Sequence, residues 1–151
     1  MDFNGVMNEV KAKYRRLLRA KPFILETFPK DLPKSGIYCM EEKGRPLYVG
    51  RSNCIRKRLR RHTLPKHNSA SFAFLITRVK TGNTKAAYSK KGSRNELLKD
   101  PKFKNIFHHS IGRICKMKVR IIQEDDQVKQ ALLEIYASYM LKTPFNDFGT
   151  H

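Results

Sequence analysis

The stretch that decides the fold runs from residue 36 to residue 50 and reads GIYCMEEKGRPLYVG. Residues 36–40 are rich in β-branched and aromatic side chains, a composition typical of a strand. Residues 41–46 contain Gly44 and Pro46, which favour a turn, and the strand-like pattern returns at residues 47–49. The sequence therefore predicts a β-hairpin.

Two tyrosines in this hairpin share a face. Tyr38 and Tyr48 are expected to emerge together, because side chains alternate across a strand. The opposite, core-facing side is assigned to the aliphatic neighbours Ile37, Cys39, Leu47 and Val49. Spacing alone leaves two interpretations open: an aromatic cross-strand pair that stabilises the sheet, or a pair with a chemical role.

Helices and one further strand are predicted on either side of the hairpin. Apolar residues recur at helical spacing in several segments, and residues 116–123 alternate as in a strand. The expected elements are a helix at 4–20, a proline-punctuated link at 22–33, a helix at 54–62 capped by Asn53, a helix at 69–79, a basic surface loop at 80–95, a short helix at 103–112, a strand at 116–123, and a helix from Asp125 or Asp126 to near residue 141 that Pro144 ends.

This order of elements predicts an α+β fold with a small, mostly antiparallel, three-stranded sheet flanked by helices. Residues 1–30 are expected to form an N-terminal helical extension. Residues 31–151 are expected to form the main domain, with inserted helices and the basic loop around residues 63–115.

The charge balance points to a polyanionic partner. The chain has 151 residues, with 32 Lys plus Arg against 13 Asp plus Glu, and a formal net charge of +19. Such an imbalance opposes compaction through self-repulsion, and nucleic acid is the usual polyanion that relieves it. A membrane-surface protein and a ribosome-like structural binder are the other classes that this charge allows.

Cysteine usage and hydropathy narrow the cellular setting. Cys39, Cys54 and Cys115 are widely spaced and form no CxxC pair, which argues against a disulfide framework and a structural zinc site. No apolar run approaches the roughly 18 residues that a membrane helix needs, and the N-terminus has no signal-peptide stretch. We expect a cytoplasmic, nucleoid-associated protein with no membrane partner and no small-molecule cofactor.

The helix after the hairpin is strongly basic. Cys54, Arg58 and His62 are spaced by four and line one stripe of it. Because that stripe lies near the hairpin that launches the helix, Arg58 and His62 are assigned a directed role at a site. The cations around the stripe form a solvated face or, in our interpretation, contact DNA phosphates, which position nucleic acid without reading its sequence. They are Arg56, Lys57, Arg60 and Arg61.

The last helix carries one acid in an apolar setting. Glu134 is the only Asp or Glu from residue 127 to residue 145, on a face with Ala131 and Ser138. Small neighbours leave room for a ligand over the carboxylate, and an acid in such a helix is rarely idle. The alternative is a buried salt bridge to an arginine. An apolar stripe runs beside it: Val128, Leu132, Ile135 and Tyr139.

Taken in order, these motifs resemble those of the GIY-YIG nuclease family. GIY at residues 36–38, followed after nine residues by YVG at residues 48–50, is similar to the family signature. The resemblance spans residues 34–148, and residues 63–115 match only loosely. The family's essential arginine, the histidine or tyrosine four residues later, the metal-binding glutamate and the asparagine after its helix are matched by Arg58, His62, Glu134 and Asn146.

Two positions depart from the family pattern or extend it. Arg51 stands where members often carry lysine or a serine-like residue, and we expect it to hold a phosphate with different geometry. His67 is a candidate for a second histidine that some members carry. Both residues are therefore placed among the DNA-binding set.

The resemblance implies hydrolysis of DNA by in-line attack of water on phosphorus, which leaves 5′-phosphate and 3′-hydroxyl ends. Elementary chemistry agrees, since a fixed guanidinium such as that of Arg58 stabilises charge that develops in the transition state. Glu134 is expected to bind one Mg²⁺, or Mn²⁺ in its place, as the single protein carboxylate. Asn146 is expected to brace the glutamate end of the site.

The general base is expected to be Tyr38 or Tyr48, which the sequence cannot rank. Positive charge from Arg51 and Arg58 favours the phenolate that a tyrosine base needs. His62 is expected to relay the proton or to hold a tyrosine hydroxyl.

Two other functions compete with a DNA endonuclease. One is a non-catalytic nucleic-acid-binding module, which is disfavoured because every expected catalytic position is filled, and the other is an RNA nuclease of the same fold. No separate targeting domain is visible, so DNA specificity is expected to be modest, structure-based or supplied by an additional targeting protein. Residues 1–30 and the basic loop at 80–95 are the segments in which to look for it.

Overall fold

The computed structural model describes residues 1–66, 69–83 and 93–148. The predicted His67 and most of the basic loop predicted at 80–95 lie outside the described residues. The elements are α1 (Phe3–Arg19), β1 (Phe23–Ile24), a 3₁₀ turn (Leu25–Thr27), β2 (Gly36–Glu42), β3 (Arg45–Ser52), α2 (Ile55–His62), α3 (Ser71–Thr81), α4 (Arg94–Lys99), α5 (Pro101–Cys115), β4 (Lys118–Gln123) and α6 (Gln127–Leu141).

The predicted α+β class and antiparallel sheet are confirmed, and the sheet has four strands rather than three. The strand order is β1-β4-β2-β3, and every neighbouring pair is antiparallel. The additional strand is β1, where Phe23 pairs with Val119 and Ile24 with Lys118. A two-residue strand in a link punctuated by prolines is too short to show a sequence period, so only the structure reveals it.

The sheet is the middle layer between two sets of helices. Ile37, Cys39 and Val49 face a cluster formed with α1 and α6. Tyr38 and Met40 face the larger cluster, which includes α2, α3 and α5. The tyrosine face of the hairpin is therefore a second core, and Tyr38 is 0% exposed.

A β-bulge at Leu47 changes the face of that residue. Met40 pairs with Tyr48 and Glu41 pairs with Pro46, so Leu47 has no partner on β2. An extra residue of this kind breaks the alternation of side chains, and Leu47 joins the cluster that Tyr48 packs against. The expectation that Leu47 shares a face with Val49 is therefore wrong. The Leu47 carbonyl accepts a hydrogen bond from the Phe145 N–H at 3.2 Å.

Two helix starts differ from the prediction. Helix α2 begins after Cys54, which makes no side-chain capping hydrogen bond, so Asn53 is not its cap. Helix α4 is absent from the prediction although the sequence signals it, because Ser93 accepts a hydrogen bond from the Glu96 N–H as in a capping box. Helix α6 begins as expected, with the Asp126 carboxylate accepting from two backbone N–H groups.

Helix α6 does not bury its apolar stripe. Val128 is 68% exposed and Tyr139 is 80% exposed. Its buried residues are Gln130, Leu133, Ala137 and Ser138, because this adjacent face packs against α1 and the sheet. That orientation brings the Glu134 side chain to the end of β3. No helix in the described part of the chain is long and apolar enough to cross a membrane.

Gly36 has no room for a side chain. It pairs with Ser52 on one side and Gln123 on the other, with a φ of +152°. A Cβ added there would lie 2.1 Å from the Ile122 carbonyl oxygen. Since that oxygen belongs to the backbone of β4, the clash can be relieved only by moving a strand.

We predict that Gly36→Ala lowers the free energy of unfolding by about 2 kcal/mol or more, as overpacking against backbone does. Gly112→Ala is the matched control, since nothing lies within 4 Å of its added Cβ on helix α5. That control should be neutral or raise stability by up to about 1 kcal/mol. Urea denaturation of both variants measures the difference, and equal stabilities would contradict the close approach at Gly36.

Candidate active site

A polar cleft of about 410 Å³ opens beside the hairpin. It collects side chains from β2, β3, α2 and α6, elements far apart in the sequence. The lining residues are Tyr38, Tyr48, Arg51, Ser52, Asn53, Arg58, Gln130 and Glu134. Five residues predicted for the site from the sequence are thus brought together: Tyr38, Tyr48, Arg51, Arg58 and Glu134.

The centre of the site is the hydroxyl of Tyr38. His62 Nε2 lies 2.8 Å from Tyr38 Oη, and Arg58 Nε donates to the same oxygen at 3.3 Å. Arg58 Nη2 also donates to Ser71 Oγ at 2.8 Å. The four-residue spacing of Arg58 and His62 on α2 therefore directs both side chains to one tyrosine.

Gly50 allows this tyrosine to lie flat against β3. A Cβ at Gly50 would stand 2.3 Å from both Cζ and Oη of Tyr38. Any side chain there would displace the hydroxyl from His62 and Arg58. The second glycine of the motif is thus required by close packing, not by an unusual backbone angle.

The tautomer of His62 follows from its surroundings. Its Nδ1 is buried and has no hydrogen-bond partner among the described residues. A proton on Nδ1 would leave a buried donor unpaired, at a cost of about 1–3 kcal/mol. The lower-energy form therefore carries the proton on Nε2 and donates it to Tyr38 Oη, which also accepts from Arg58.

Tyr48 lies beside this network. Its ring stacks on Phe72 with centroids 4.7 Å apart, and Arg58 and the Tyr38 hydroxyl are both close enough to lower its pKa. Because the Tyr38 oxygen already accepts from two groups, its own proton is available to Tyr48. Tyr48, which is partly exposed and lines the cleft, is thus placed to accept that proton.

Burial opposes ionisation of both phenols. It raises the pKa of Tyr38 far above the ordinary value of 10.0, and the neighbouring Tyr48 adds to the shift. Burial also raises the pKa of Tyr48, although the charge and hydrogen bond of Arg58 oppose the shift. Arg58 acts in the direction expected from the sequence, but desolvation outweighs it.

His62 is neutral in the folded protein. Burial lowers its pKa to about 3, and the positive charges of Arg58 and Arg61 add to the effect. A histidine with this pKa is a poor proton acceptor near neutral pH. Of the two roles expected for His62, holding the tyrosine hydroxyl therefore fits its surroundings better than relaying a proton.

Glu134 lies at the other end of the cleft in an ion pair. Its Oε2 accepts from Arg51 Nε at 2.9 Å, and the Glu134 side chain is 20% exposed. Burial raises the pKa of Glu134, and the charge and hydrogen bond of Arg51 oppose that rise. The salt bridge to an arginine, considered from the sequence as an alternative to a ligand role, is present.

The residues around Glu134 fit a magnesium ion. Mg²⁺ takes oxygen ligands, is usually held by one or two carboxylates, and keeps several waters. Glu134 offers a half-buried carboxylate in a polar cleft with room for water and a phosphate. No group of three or more His, Cys, Asp or Glu side chains among the described residues could hold a metal ion, so most ligands would be water and substrate oxygens.

Asn146 braces strand β3. Its Oδ1 accepts from the Val49 N–H at 2.8 Å and from Thr143 Oγ1 at 2.8 Å, and its Nδ2 donates to the Val49 carbonyl at 2.7 Å. The amide satisfies backbone groups that an edge strand leaves open, next to Tyr48. The sequence predicts that Asn146 braces the end of the site that holds Glu134. In the structure, its hydrogen bonds are with Val49 on β3 and with Thr143.

The basic face of α2 has a structural role that the sequence does not indicate. Arg56 Nη2 donates to the carbonyls of Pro29 and Lys30. The guanidinium groups of Arg56 and Arg60 lie 5.2 and 5.8 Å from the Phe28 ring centroid. These cations hold the link before β2 against the helix, while Lys57 is exposed and Arg61 is half-buried.

Several cleft residues are missed by sequence reasoning. Gln130 lies one turn before Glu134, and its Nε2 donates to Asn53 Oδ1 at 3.1 Å and to the Glu124 carbonyl at 2.7 Å. Both N–H bonds of that amide are used, which fixes the side chain where it lines the cleft. The four-residue spacing to Glu134 could have revealed Gln130. Ser71 does not line the cleft but anchors Arg58 from the distant helix α3, and it carries no local signal.

A fixed guanidinium, an ion-paired carboxylate and two neighbouring phenols in a polar cleft are groups suited to phosphate chemistry. The family model of the GIY-YIG catalytic domain matches residues 34–138, more than half of the chain. Comparisons with curated proteins and with solved structures gave no significant match. The chain belongs to the GIY-YIG family, whose catalytic domain implies nuclease activity.

The buried histidine makes a testable contribution to acid sensitivity. The unfolded chain binds a proton at His62 near its ordinary pKa of 6.5, and the folded chain binds it only near pH 3. Protonation of His62 therefore costs the fold nothing above pH 6.5, the pKa of His62 in the unfolded chain. As the pH falls from 6.5 to about 3, it lowers the free energy of unfolding by up to about 1.4 kcal/mol per pH unit. We predict that His62→Gln flattens the decline in unfolding free energy between pH 6.5 and pH 4.

The control for this measurement is His108→Gln, which removes an exposed histidine from α5. It should leave the slope as in the wild type. A slope that persists in His62→Gln would show that His62 is not the group whose protonation destabilises the fold.

Proposed function

We propose that this nuclease is a metal-dependent DNA endonuclease that hydrolyses a phosphodiester bond by in-line attack of water. The observation that carries the proposal is the shared cleft of Tyr48, Arg58 and Glu134. It supplies, side by side, an oxygen that can take a proton, a cation for developing charge and a carboxylate for a divalent ion.

Arg58 is proposed to stabilise the transition state. Two of its nitrogens are fixed by Tyr38 and Ser71, so its guanidinium meets a phosphate without reorganising. Preorganised donors of this kind contribute most where water is excluded. The half-buried position of Arg58 reduces its contact with water.

Tyr48 is proposed as the general base. Both tyrosines line the cleft, but Tyr48 is partly exposed whereas Tyr38 is fully buried. Hydrogen bonds from Tyr38 and Arg58 stabilise a phenolate at Tyr48 relative to the neutral phenol. His62 then acts indirectly, because it donates to Tyr38 and frees the Tyr38 proton for Tyr48. Tyr38 and His62 are positioning residues in this assignment.

Glu134 is proposed to hold the metal. A bound Mg²⁺ supplies Lewis-acid stabilisation of charge on the leaving oxygen. Mn²⁺ shares the preference for oxygen ligands and is expected to replace it. Gln130, whose amide is fixed one turn earlier on α6 and which lines the same cleft, is proposed to offer a second oxygen.

DNA is the proposed substrate because the chain carries a net charge of +19. Four cations lie near the end of β3 and along α2: Arg51, Lys57, Arg60 and Arg61. Phosphate contacts by such cations supply affinity that is independent of sequence. An additional targeting protein, the division of the chain at residue 30 and a nucleoid location stay predictions. RNA cleavage is an outcome that the experiment below separates.

We predict that the wild type nicks supercoiled plasmid in the presence of Mg²⁺ and that Glu134→Gln and Arg58→Ala each lose about 10²–10³-fold in rate. For Glu134→Gln the reason is the lost metal ligand, and for Arg58→Ala it is the lost electrostatic stabilisation. Conversion of supercoiled to open-circular DNA, followed with and without Mg²⁺, measures both.

Arg45→Ala is the matched control, since Arg45 is exposed at the far end of β3 and its loss removes the same charge as Arg58→Ala. It should keep nearly full activity. A wild-type nicking rate in Arg58→Ala would show that Arg58 does not stabilise the transition state. Cleavage of an RNA duplex but of no DNA form would replace DNA with RNA as the substrate.

The tyrosine assignment predicts unequal losses. Tyr48→Phe removes the base and should cost about 10²–10⁴-fold, the range of general base catalysis. Tyr38→Phe keeps the base but removes hydrogen bonds worth about 0.5–1.5 kcal/mol each, including one that anchors Arg58, and should cost less, about ten- to hundredfold. Single-turnover nicking rates measure both, and the reverse order would make Tyr38 the base. Full activity in both variants would exclude a tyrosine base.

The same assignment predicts the pH dependence. Because the pKa of Tyr48 lies above 10.0 in the fold, the reactive phenolate fraction rises about tenfold per pH unit up to that pKa. The wild-type rate should therefore still be rising at pH 9, and this slope should disappear in Tyr48→Phe.

A further inference from the structure

The ion pair in the cleft places a competitor on the proposed metal ligand. Arg51 Nε lies 2.9 Å from Glu134 Oε2, and the two residues are 83 positions apart in the sequence. A guanidinium so close to the carboxylate occupies one of its oxygens and repels a divalent cation. Metal binding and the observed contact are therefore in opposition.

We propose that Arg51 is an exchangeable counter-ion: it holds Glu134 in the substrate-free enzyme and moves to a substrate phosphate when the metal takes Glu134. This proposal rests on the metal site of the proposed function. Metal binding and phosphate binding would then favour each other. A metal on Glu134 releases Arg51 for the phosphate, and a phosphate on Arg51 releases Glu134 for the metal.

The position of Arg51 suits such an exchange. It stands next to the last residue of β3, and its side chain is 44% exposed, whereas that of Glu134 is 20% exposed. Only its Nε is engaged by a described residue, so its two terminal nitrogens remain for a phosphate. A planar guanidinium matches phosphate oxygens in a bidentate fashion.

The neighbouring Arg58 provides a contrast within the same cleft. Arg58 is anchored to two neutral hydroxyl groups, Tyr38 Oη and Ser71 Oγ. Its position does not depend on a charge that the metal would take. The cleft thus holds one arginine fixed for the transition state and a second whose only described partner is the metal ligand.

A half-buried carboxylate needs such a partner while the site lacks substrate. Leaving Glu134 unpaired would be costly, because a partly desolvated charge is stabilised by a nearby opposite charge. An arginine that only orients Glu134 for the metal is the opposing interpretation. The two interpretations differ in sign, since loss of an orienting arginine weakens metal binding and loss of a competing arginine strengthens it.

The test is Mn²⁺ binding to the full chain without DNA, measured from the electron paramagnetic resonance signal of free Mn²⁺. We expect Arg51→Gln to bind Mn²⁺ at least about fivefold more tightly than the wild type, at the lower end of typical coupling between ligands. Arg51→Lys keeps the charge and should stay within about twofold of the wild type, on the same scale.

Arg45→Gln is the control for net charge, because it removes one cation from the same strand outside the cleft. Its affinity for Mn²⁺ should match that of the wild type. Equal or weaker binding by Arg51→Gln would overturn the proposal, and so would an equal gain in Arg45→Gln.

Glu134→Gln separates this proposal from the function on which it rests. Loss of Mn²⁺ binding in Glu134→Gln, together with unchanged affinity in Arg51→Gln, would leave the metal site intact and reject the exchange. Wild-type affinity in Glu134→Gln would reject the metal site and, with it, the exchange.

Discussion

The hydroxyl of Tyr38, fully buried at the centre of the sheet, is the constraint on which the rest of the structure depends. Its ring contributes to the larger core. A hydroxyl without a hydrogen-bond partner in that core would destabilise the fold. His62 and Arg58 supply the partners, and they reach the oxygen because helix α2 follows the hairpin directly. Gly50 keeps the space that the hydroxyl occupies. The same contacts therefore pack the core and position the proposed catalytic groups.

The hydrogen bonds of this buried network run in one direction, from His62 and Arg58 as donors to Tyr38 as acceptor. Since His62 is neutral and its Nδ1 has no partner in the described part of the chain, its single proton is best placed on Nε2. Arg58 can only donate. Both groups therefore direct hydrogen bonds to Tyr38, which leaves the Tyr38 proton available to Tyr48, the more exposed of the two phenols. The asymmetry between the two tyrosines arises from this network and from exposure, not from the symmetry of the hairpin motif.

Local periodicity accounts for what the sequence predicts correctly. The alternation in residues 36–50 and the spacing of Arg58 and His62 each involve one element, so the hairpin, helix α2 and the gathering of the tyrosines with Arg58 and His62 follow from it. The bulge at Leu47 could not be predicted, because its stabilising partner is the N–H of Phe145, nearly a hundred residues later. The face that α6 buries is also a tertiary choice: helix α1 and the sheet select Leu133 and Ala137 over the more regular apolar stripe. The contact of Arg51 with Glu134 has the same origin, since it joins the end of β3 to a helix that only the completed sheet brings near.

The distribution of acids explains why Glu134 differs from the other carboxylates of a chain with a net charge of +19. Glu42 is paired with Arg113, Glu41 with Arg120, and Glu124 with Lys13, in each case between elements that pack together. The cations in these pairs are 26% or 28% exposed, and the pairs join parts of the core. Arg51 is 44% exposed and borders a cleft large enough for a phosphate. Of the cations in these four pairs, Arg51 is therefore the one that an anionic ligand entering the cleft reaches most readily. Greater exposure of the cation and an adjoining cleft thus distinguish the Arg51–Glu134 pair from the three pairs within the core.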